Sequence, residues 1–205
     1  MSGLSPHPLP PRDLATRALP IVFGTQPLFQ IHDATQNPLF FGRLVRHRFD
    51  APGSEYGVLY AGIDPYAAFV ETFGRLPQGS VVTRAALAGN HLAEIAFQPP
   101  LRFVDLSGTG LARLGADGRL GTGDYAIAQQ WSLALWRHPE QPDGMYYRSR
   151  HDPSRQCAAI FDRPGLNASV TPLGSLLAPS SAALLASILD TYGFGLIETH
   201  IHKST

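Results

Sequence analysis

The sequence predicts one domain of mixed strands and helices, and three observations point there. At 205 residues the chain can bury a substantial core without needing a second domain. Short apolar runs of strand formers recur between turn residues. Three longer stretches instead carry their apolar side chains at helical spacing, two of them behind an aspartate placed as an N-cap.

Taken in order, residues 1 to about 20 hold Pro6, Pro8, Pro10, Pro11 and Pro20 with few large apolar groups, and read as an extended arm or poorly ordered tail ahead of a domain over 21–205. Pro27 to His32 is the first strand, and a polar stretch through Asn37-Pro38 turns away from it. Gly57 to Ala61, closed by Gly62, predicts a strand buried on both faces. Asp64 then caps a helix that begins at Pro65, whose missing N–H costs nothing there. Tyr66, Phe69, Val70 and Phe73 make its apolar stripe, and Gly74 lies near its end. Further strands are expected at Ser80–Thr83, His91–Phe97, Leu101–Leu106, Cys157–Phe161 and Gly195–Ile197. Further helices are expected at Ser107–Leu114, from Asp124 to about Trp136, and from about Ser180 to Thr191 with Ala183, Leu184, Ile188 and Leu189 inward.

Composition excludes several functions. Sixteen basic residues balance sixteen acidic ones, which gives no electrostatic case for nucleic acid or an anionic membrane as main partner. Lys203 is the only lysine, so a phosphate ligand would fall to Arg forks or backbone amides. The single cysteine, Cys157, rules out an internal disulfide framework and suits a reducing, cytoplasmic setting; its apolar surroundings read as core. No run approaches a membrane span and no signal pattern opens the chain. The eight histidines lack metal-site spacing, and His200 and His202 read as a frayed tail. No nucleophile elbow, Walker loop or Gly-x-Gly-x-x-Gly occurs; Gly108-Thr-Gly110 and Gly121-Thr-Gly123 are accounted for by turns.

What remains is a small set of polar side chains. Glu71 lies beside the stripe of its helix, either as a surface charge whose stem covers the core edge or as a group held in a cleft. Arg43, Arg46, His47 and Arg48 form the densest positive cluster, solvated or liganded, just before the Asp50-to-Ser54 turn and the central strand. The bend in Asp143-to-Pro153 brings hydroxyls, guanidiniums and an imidazole together and is suited to line a pocket. By spacing alone, an Arg cluster, the strand tyrosine Tyr60, a helix-borne Glu and a hydroxyl-rich bend read first as ordinary surface charges of a soluble mixed domain, and second as a set suited to a dinucleotide cleaved at a glycosidic bond. Arg would hold pyrophosphate, an aromatic would pack on the leaving base, and the carboxylate would meet charge developing on the ribose.

Three segments in order carry a more specific signal. Arg48-Phe49 before a Pro-Gly turn, Gly57-Val-Leu-Tyr-Ala-Gly-Ile-Asp-Pro-Tyr-Ala-Ala-Phe-Val-Glu71, and Gly144-Met-Tyr-Tyr-Arg-Ser149 followed by Cys157–Phe161 resemble the RES-domain family of toxins from bacterial toxin–antitoxin pairs, over about Leu28 to Phe161. The resemblance implies an ADP-ribosyltransferase-like α+β fold, a split mixed sheet flanked by helices. It also implies an activity on NAD, either cleavage by hydrolysis or phosphorolysis or transfer of ADP-ribose to a protein, with no metal, and an antitoxin as partner. By the same resemblance Arg48 would hold the NAD phosphates, Tyr60 would pack on the nicotinamide side, Glu71 would serve the nicotinamide ribose, and Ser149 would bind or position it. Gln30 departs from the pattern, since many family members have Arg in the first strand. Arg43 or Arg46 would then supply the missing charge, phosphate binding would be weaker, or the chain would be an impaired relative acting by partner binding.

Overall fold

A computed structural model describes residues 7–74 and 81–198 of the chain. In order the elements are β1 (Ile21–Gly24), β2 (Leu28–Asp33), β3 (Val58–Gly62), α1 (Pro65–Phe73), β4 (Val81–Thr83), α2 (Arg84–Ala88), β5 (Asn90–Phe97), β6 (Leu101–Leu106), α3 (Gly108–Leu114), α4 (Arg119–Thr122), α5 (Tyr125–Trp136), β7 (Gly144–Arg148), β8 (Gln156–Phe161), β9 (Ala168–Ser175), α6 (Ala182–Tyr192) and β10 (Gly195–Ile197). Eight strands form one mixed sheet in the order β1-β6-β7-β8-β3-β2-β5-β9. Only β6 and β7 run parallel within it. β10 and β4 make a separate parallel pair.

The fold is α+β, a large mixed sheet flanked by helices, as the sequence led one to expect. Asp64 caps α1 by accepting from the Ala67 N–H at 2.7 Å, and Asp124 caps α5 through the Ala126 N–H at 2.8 Å. α1 buries Phe69, Val70 and Phe73. Those rings join Leu87, Leu92 and Ile188 in one apolar cluster, while Trp131 and Leu135 of α5 pack with Phe49, Met145 and Phe161 in another. Gly62 lets α1 settle directly on β3, because a Cβ there would stand 2.5 Å from the Ala68 nitrogen.

Several elements were not read from the sequence. β9 contains Pro172 and Gly174, which discourage a strand, yet it pairs with β5 as a sheet edge. Edge strands tolerate a missing donor, and a register shift at Leu92/Ala93 absorbs one residue beside Gly174 at φ +75°. β1 is four residues at the opposite edge, and the Gly121-Thr-Gly123 turn belongs to the end of α4. In α6 the inward residues are Leu185 and Ile188, with Leu184 and Leu189 partly buried and Ala183 exposed. Of the Pro-rich segment, residues 7–20 lie on the domain: Leu14 and Leu19 are buried, and the Trp131 indole donates to the Pro8 carbonyl at 2.8 Å. Ser80, His200 and His202 fall outside the described residues.

One irregularity positions the site. β3 pairs with β8 along its whole length, but it meets β2 only at Phe29–Gly62. At its other end Val58 exchanges both backbone hydrogen bonds with Gly42. Between those two contacts the sheet is split, and a cleft opens there.

Candidate active site

The cleft measures about 360 Å³ and is lined by Phe29, Gln30, Ile31, Phe40, Gly42, His47, Arg48, Val58, Tyr60, Ala61, Gly62, Ala68, Glu71, Thr72, Gly121, Tyr147 and Arg150. A volume of that order suits a small-molecule site. Its charged side chains come from two loops and one helix, and strands add Gln30, Tyr60 and Tyr147.

Glu71 stands on α1, half-buried at the cleft wall. Ser149 follows β7 in a tight bend and is 1% exposed. The Ser149 hydroxyl donates to Glu71 Oε1 at 2.6 Å, across 78 positions of sequence. That hydroxyl is itself aimed by the backbone: the N–H groups of His151 and Asp152 donate to Ser149 Oγ at 3.1 and 3.2 Å. With its lone pairs so engaged, Oγ has its proton left for the carboxylate. The surface-charge reading of Glu71 therefore gives way to the cleft reading.

Arg48 lines the cleft from the segment ahead of β3. It is 6% exposed, donates from Nη1 to the Gly123 carbonyl at 2.7 Å, and lies with its guanidinium carbon 4.5 Å from the centre of the Tyr125 ring. Its position follows from Asp50, 2% exposed, whose Oδ2 accepts the backbone N–H groups of Arg46 and His47, both at 2.8 Å. Tyr60 donates its hydroxyl to Asp50 Oδ1 at 3.0 Å and accepts from the Phe49 N–H at 2.9 Å. α5 completes the clamp, with Gln129 Nε2 donating to the His47 carbonyl at 3.0 Å and the Ser132 hydroxyl to the Phe49 carbonyl at 2.6 Å. Burial, with the Asp50 charge beside it, holds the Tyr60 hydroxyl well above the usual tyrosine range. Tyr60 offers the cleft its ring, while its hydroxyl is committed to the loop.

Arg43 and Arg46 are not brought to the cleft. Arg43 is exposed and pairs with Asp162 at 2.5 Å, reaching also the Glu55 carbonyl at 3.4 Å. Arg46 is exposed and does not line the cleft. The bend instead lines the cleft with Arg150, an exposed residue next to Ser149. Gln30 does line the cleft, and its Oε1 is buried with no hydrogen-bond partner among the described residues. Cys157 is buried on β8, between β3 and β7 in the sheet, where desolvation pushes its thiol up, away from the reactive range.

Residues 27–180 match the family described as RES domain. The chain belongs to the RES-domain family. Over 110 residues it is 32% identical to the "Probable toxin y4kH" of Sinorhizobium fredii, a match covering 51% of this chain and 81% of that protein. Its fold is similar to a chain in the crystal structure of the M. tuberculosis MbcT–MbcA toxin–antitoxin complex, with a TM-score of 0.63 and 16% identity over 87% of this chain and 97% of that one. At that identity the likeness speaks for the fold.

In this RES domain the bend lines the cleft with Arg150, as its run of polar side chains led one to expect, whereas the roles of three side chains that hold the other loop were not read from the sequence: Asp50, Gln129 and Ser132. Asp50 carries a usable signal, since an aspartate three or four residues after free N–H groups is a ready acceptor for a turn. Gln129 and Ser132 carry none, because a helix interior shows which face is apolar but not which buried polar atom meets a loop carbonyl.

Proposed function

We propose that this RES domain is the toxin of a toxin–antitoxin pair and that it cleaves the nicotinamide–ribose bond of NAD. The observation that carries the reading is the Glu71 carboxylate, held in the cleft by an aimed Ser149 hydroxyl. Arg48 and Arg150 line the same cleft, so an anion meets cationic partners there and a developing cation meets the carboxylate. The relatives support the toxin half of the proposal: one is named a probable toxin, and the fold is that of a chain from a toxin–antitoxin complex.

The chemistry asks little of the protein beyond placement and charge. As the C1′–N bond breaks, its electron pair goes to the pyridinium nitrogen, and nicotinamide leaves neutral without needing an acid. Positive charge grows on the ribose, and the Glu71 carboxylate stabilises it more in the transition state than in the ground state. Ser149 fixes the carboxylate oxygen so that little reorganisation is needed at that moment. An oxygen nucleophile then bonds to C1′ and gives up its proton to solvent. Arg48 and Arg150 hold the pyrophosphate end with charge-assisted hydrogen bonds.

Incubating the purified protein with NAD, with and without inorganic phosphate, tests this. Nicotinamide should appear together with ADP-ribose, or with its phosphate ester when phosphate is the acceptor. A folded protein that releases no nicotinamide under either condition would overturn the reading. An ADP-ribosylated protein appearing in place of free ADP-ribose would assign transfer instead.

A further inference from the structure

Glu71 and Ser149 stand on different elements, α1 and the bend after β7, and a 2.6 Å hydrogen bond between them survives only if the two are fixed relative to each other. Among the described residues the start of α1 meets the end of the bend through a backbone hydrogen bond, the Ile63 N–H donating to the Gln156 carbonyl at 3.2 Å, and through a side-chain ion pair. Asp64, the N-cap of α1, uses its two oxygens separately: Oδ1 accepts from the Ala67 N–H and Oδ2 accepts from Arg155 Nη1, each at 2.7 Å. Arg155 ends the bend. Its carbonyl accepts the Ser149 N–H at 3.0 Å, and its own N–H donates to the Asp152 carbonyl at 2.9 Å. Its guanidinium carbon lies 4.7 Å from the centre of the Tyr66 ring in the first turn of α1, and Nε lies 3.5 Å from Asp152 Oδ2. Asp152 is in turn held by the Tyr192 hydroxyl of α6 at 2.9 Å.

We propose that Arg155, acting through Asp64, is a positioning residue that sets the Ser149–Glu71 contact by fastening the Ser149 bend to the start of α1. This rests on the NAD-cleaving reading of the cleft. Glu71 lies seven positions after the cap, about two helical turns, so the tie lies on the same rigid helix as the carboxylate without touching substrate. The Arg155 and Asp64 side chains are 29% and 28% exposed, so solvent screens the Coulombic part and the gain lies in geometry. A loosened bend moves Ser149 first, because its hydroxyl depends on the two N–H groups that the bend presents.

Asp64→Asn is the discriminating variant, since Asn keeps an oxygen for the Ala67 N–H but loses the charged acceptor for Arg155. Arg155→Met removes the other partner, and Arg155→Lys restores charge without the fork. Nicotinamide release and amide hydrogen exchange are measured on all three and on the double variant. Asp64→Asn and Arg155→Met should each lower kcat by about ten-fold with KM for NAD changed less than about two-fold, and the double variant should be no worse than Arg155→Met alone. Arg155→Lys should recover part of the loss. The amides of His151 and Asp152 should exchange faster in both single variants while those of α1 keep their protection. Unchanged exchange in the bend, or kcat within about two-fold of wild type in both, would overturn the assignment. Should the wild-type protein release no nicotinamide, the NAD reading falls, and the exchange arm judges the tie by itself.

Discussion

Two loops border the cleft, and the same device holds each: a short polar side chain accepts backbone N–H groups of its own turn. In the segment 46–50 the acceptor is Asp50, and in the bend 149–155 it is Ser149. The difference lies in what each does with its remaining valence. Asp50 can only accept, and it takes the Tyr60 hydroxyl, closing a buried ring of bonds that ends in the protein. Ser149 also donates, and passes its proton toward Glu71 at the cleft wall. A carboxylate makes its loop a fixed support for Arg48, whereas a hydroxyl ties its loop to the carboxylate in the cleft wall.

The largest effect should come from breaking the support. Asp50→Ala leaves the Arg46 and His47 N–H groups and the Tyr60 hydroxyl without their acceptor, and should cost about 3 kcal/mol or more of stability in urea unfolding. Only a minor loss would mean that water replaces the carboxylate and that the two loops are alike.

Next comes the chemistry of the other loop. Glu71→Gln should lower turnover by about 10²-fold with little change in NAD affinity or stability, read from nicotinamide release and thermal melts. A variant that unfolds would show that the carboxylate is a structural partner, as Asp50 is. Ser149→Ala should lower turnover less, by about ten-fold, because the charge stays and only its aim is lost.

Arg48→Ala should weaken NAD binding by about 1.5–3 kcal/mol, measured by calorimetry, while Arg43→Ala leaves it nearly unchanged. Equal effects would place the anion across the whole cluster and remove the distinction between the pinned arginine and its exposed neighbours.

The smallest effect is a pH slope that belongs to the support alone. Burial raises the Tyr60 hydroxyl well above its ordinary value, so the folded state keeps that proton where the unfolded chain releases it. Stability from this group is full below about pH 10 and declines above it, by at most about 1.4 kcal/mol per pH unit. Tyr60→Phe should flatten that alkaline decline in urea midpoints.

By itself the sequence determined the parts whose causes are local. The strand at Gly57–Ala61, the start of α1 at Pro65 behind Asp64, and α5 behind Asp124 follow from side-chain period and capping within a dozen residues, and the structure has them where that chemistry puts them. The family and the α+β fold were also within its reach, because three segments in the right order are a property of the chain alone. Only the tertiary structure decided which member of the basic cluster faces the cleft, since Arg48 is turned inward by Asp50, Tyr60, Gln129 and Ser132, and the last two lie more than eighty positions away. It likewise decided that Arg43 answers Asp162, and that the bend supplies Arg150. β9 was hidden for the same reason: whether Pro172 breaks a strand depends on whether that strand is an edge, and an edge exists only once the sheet is assembled.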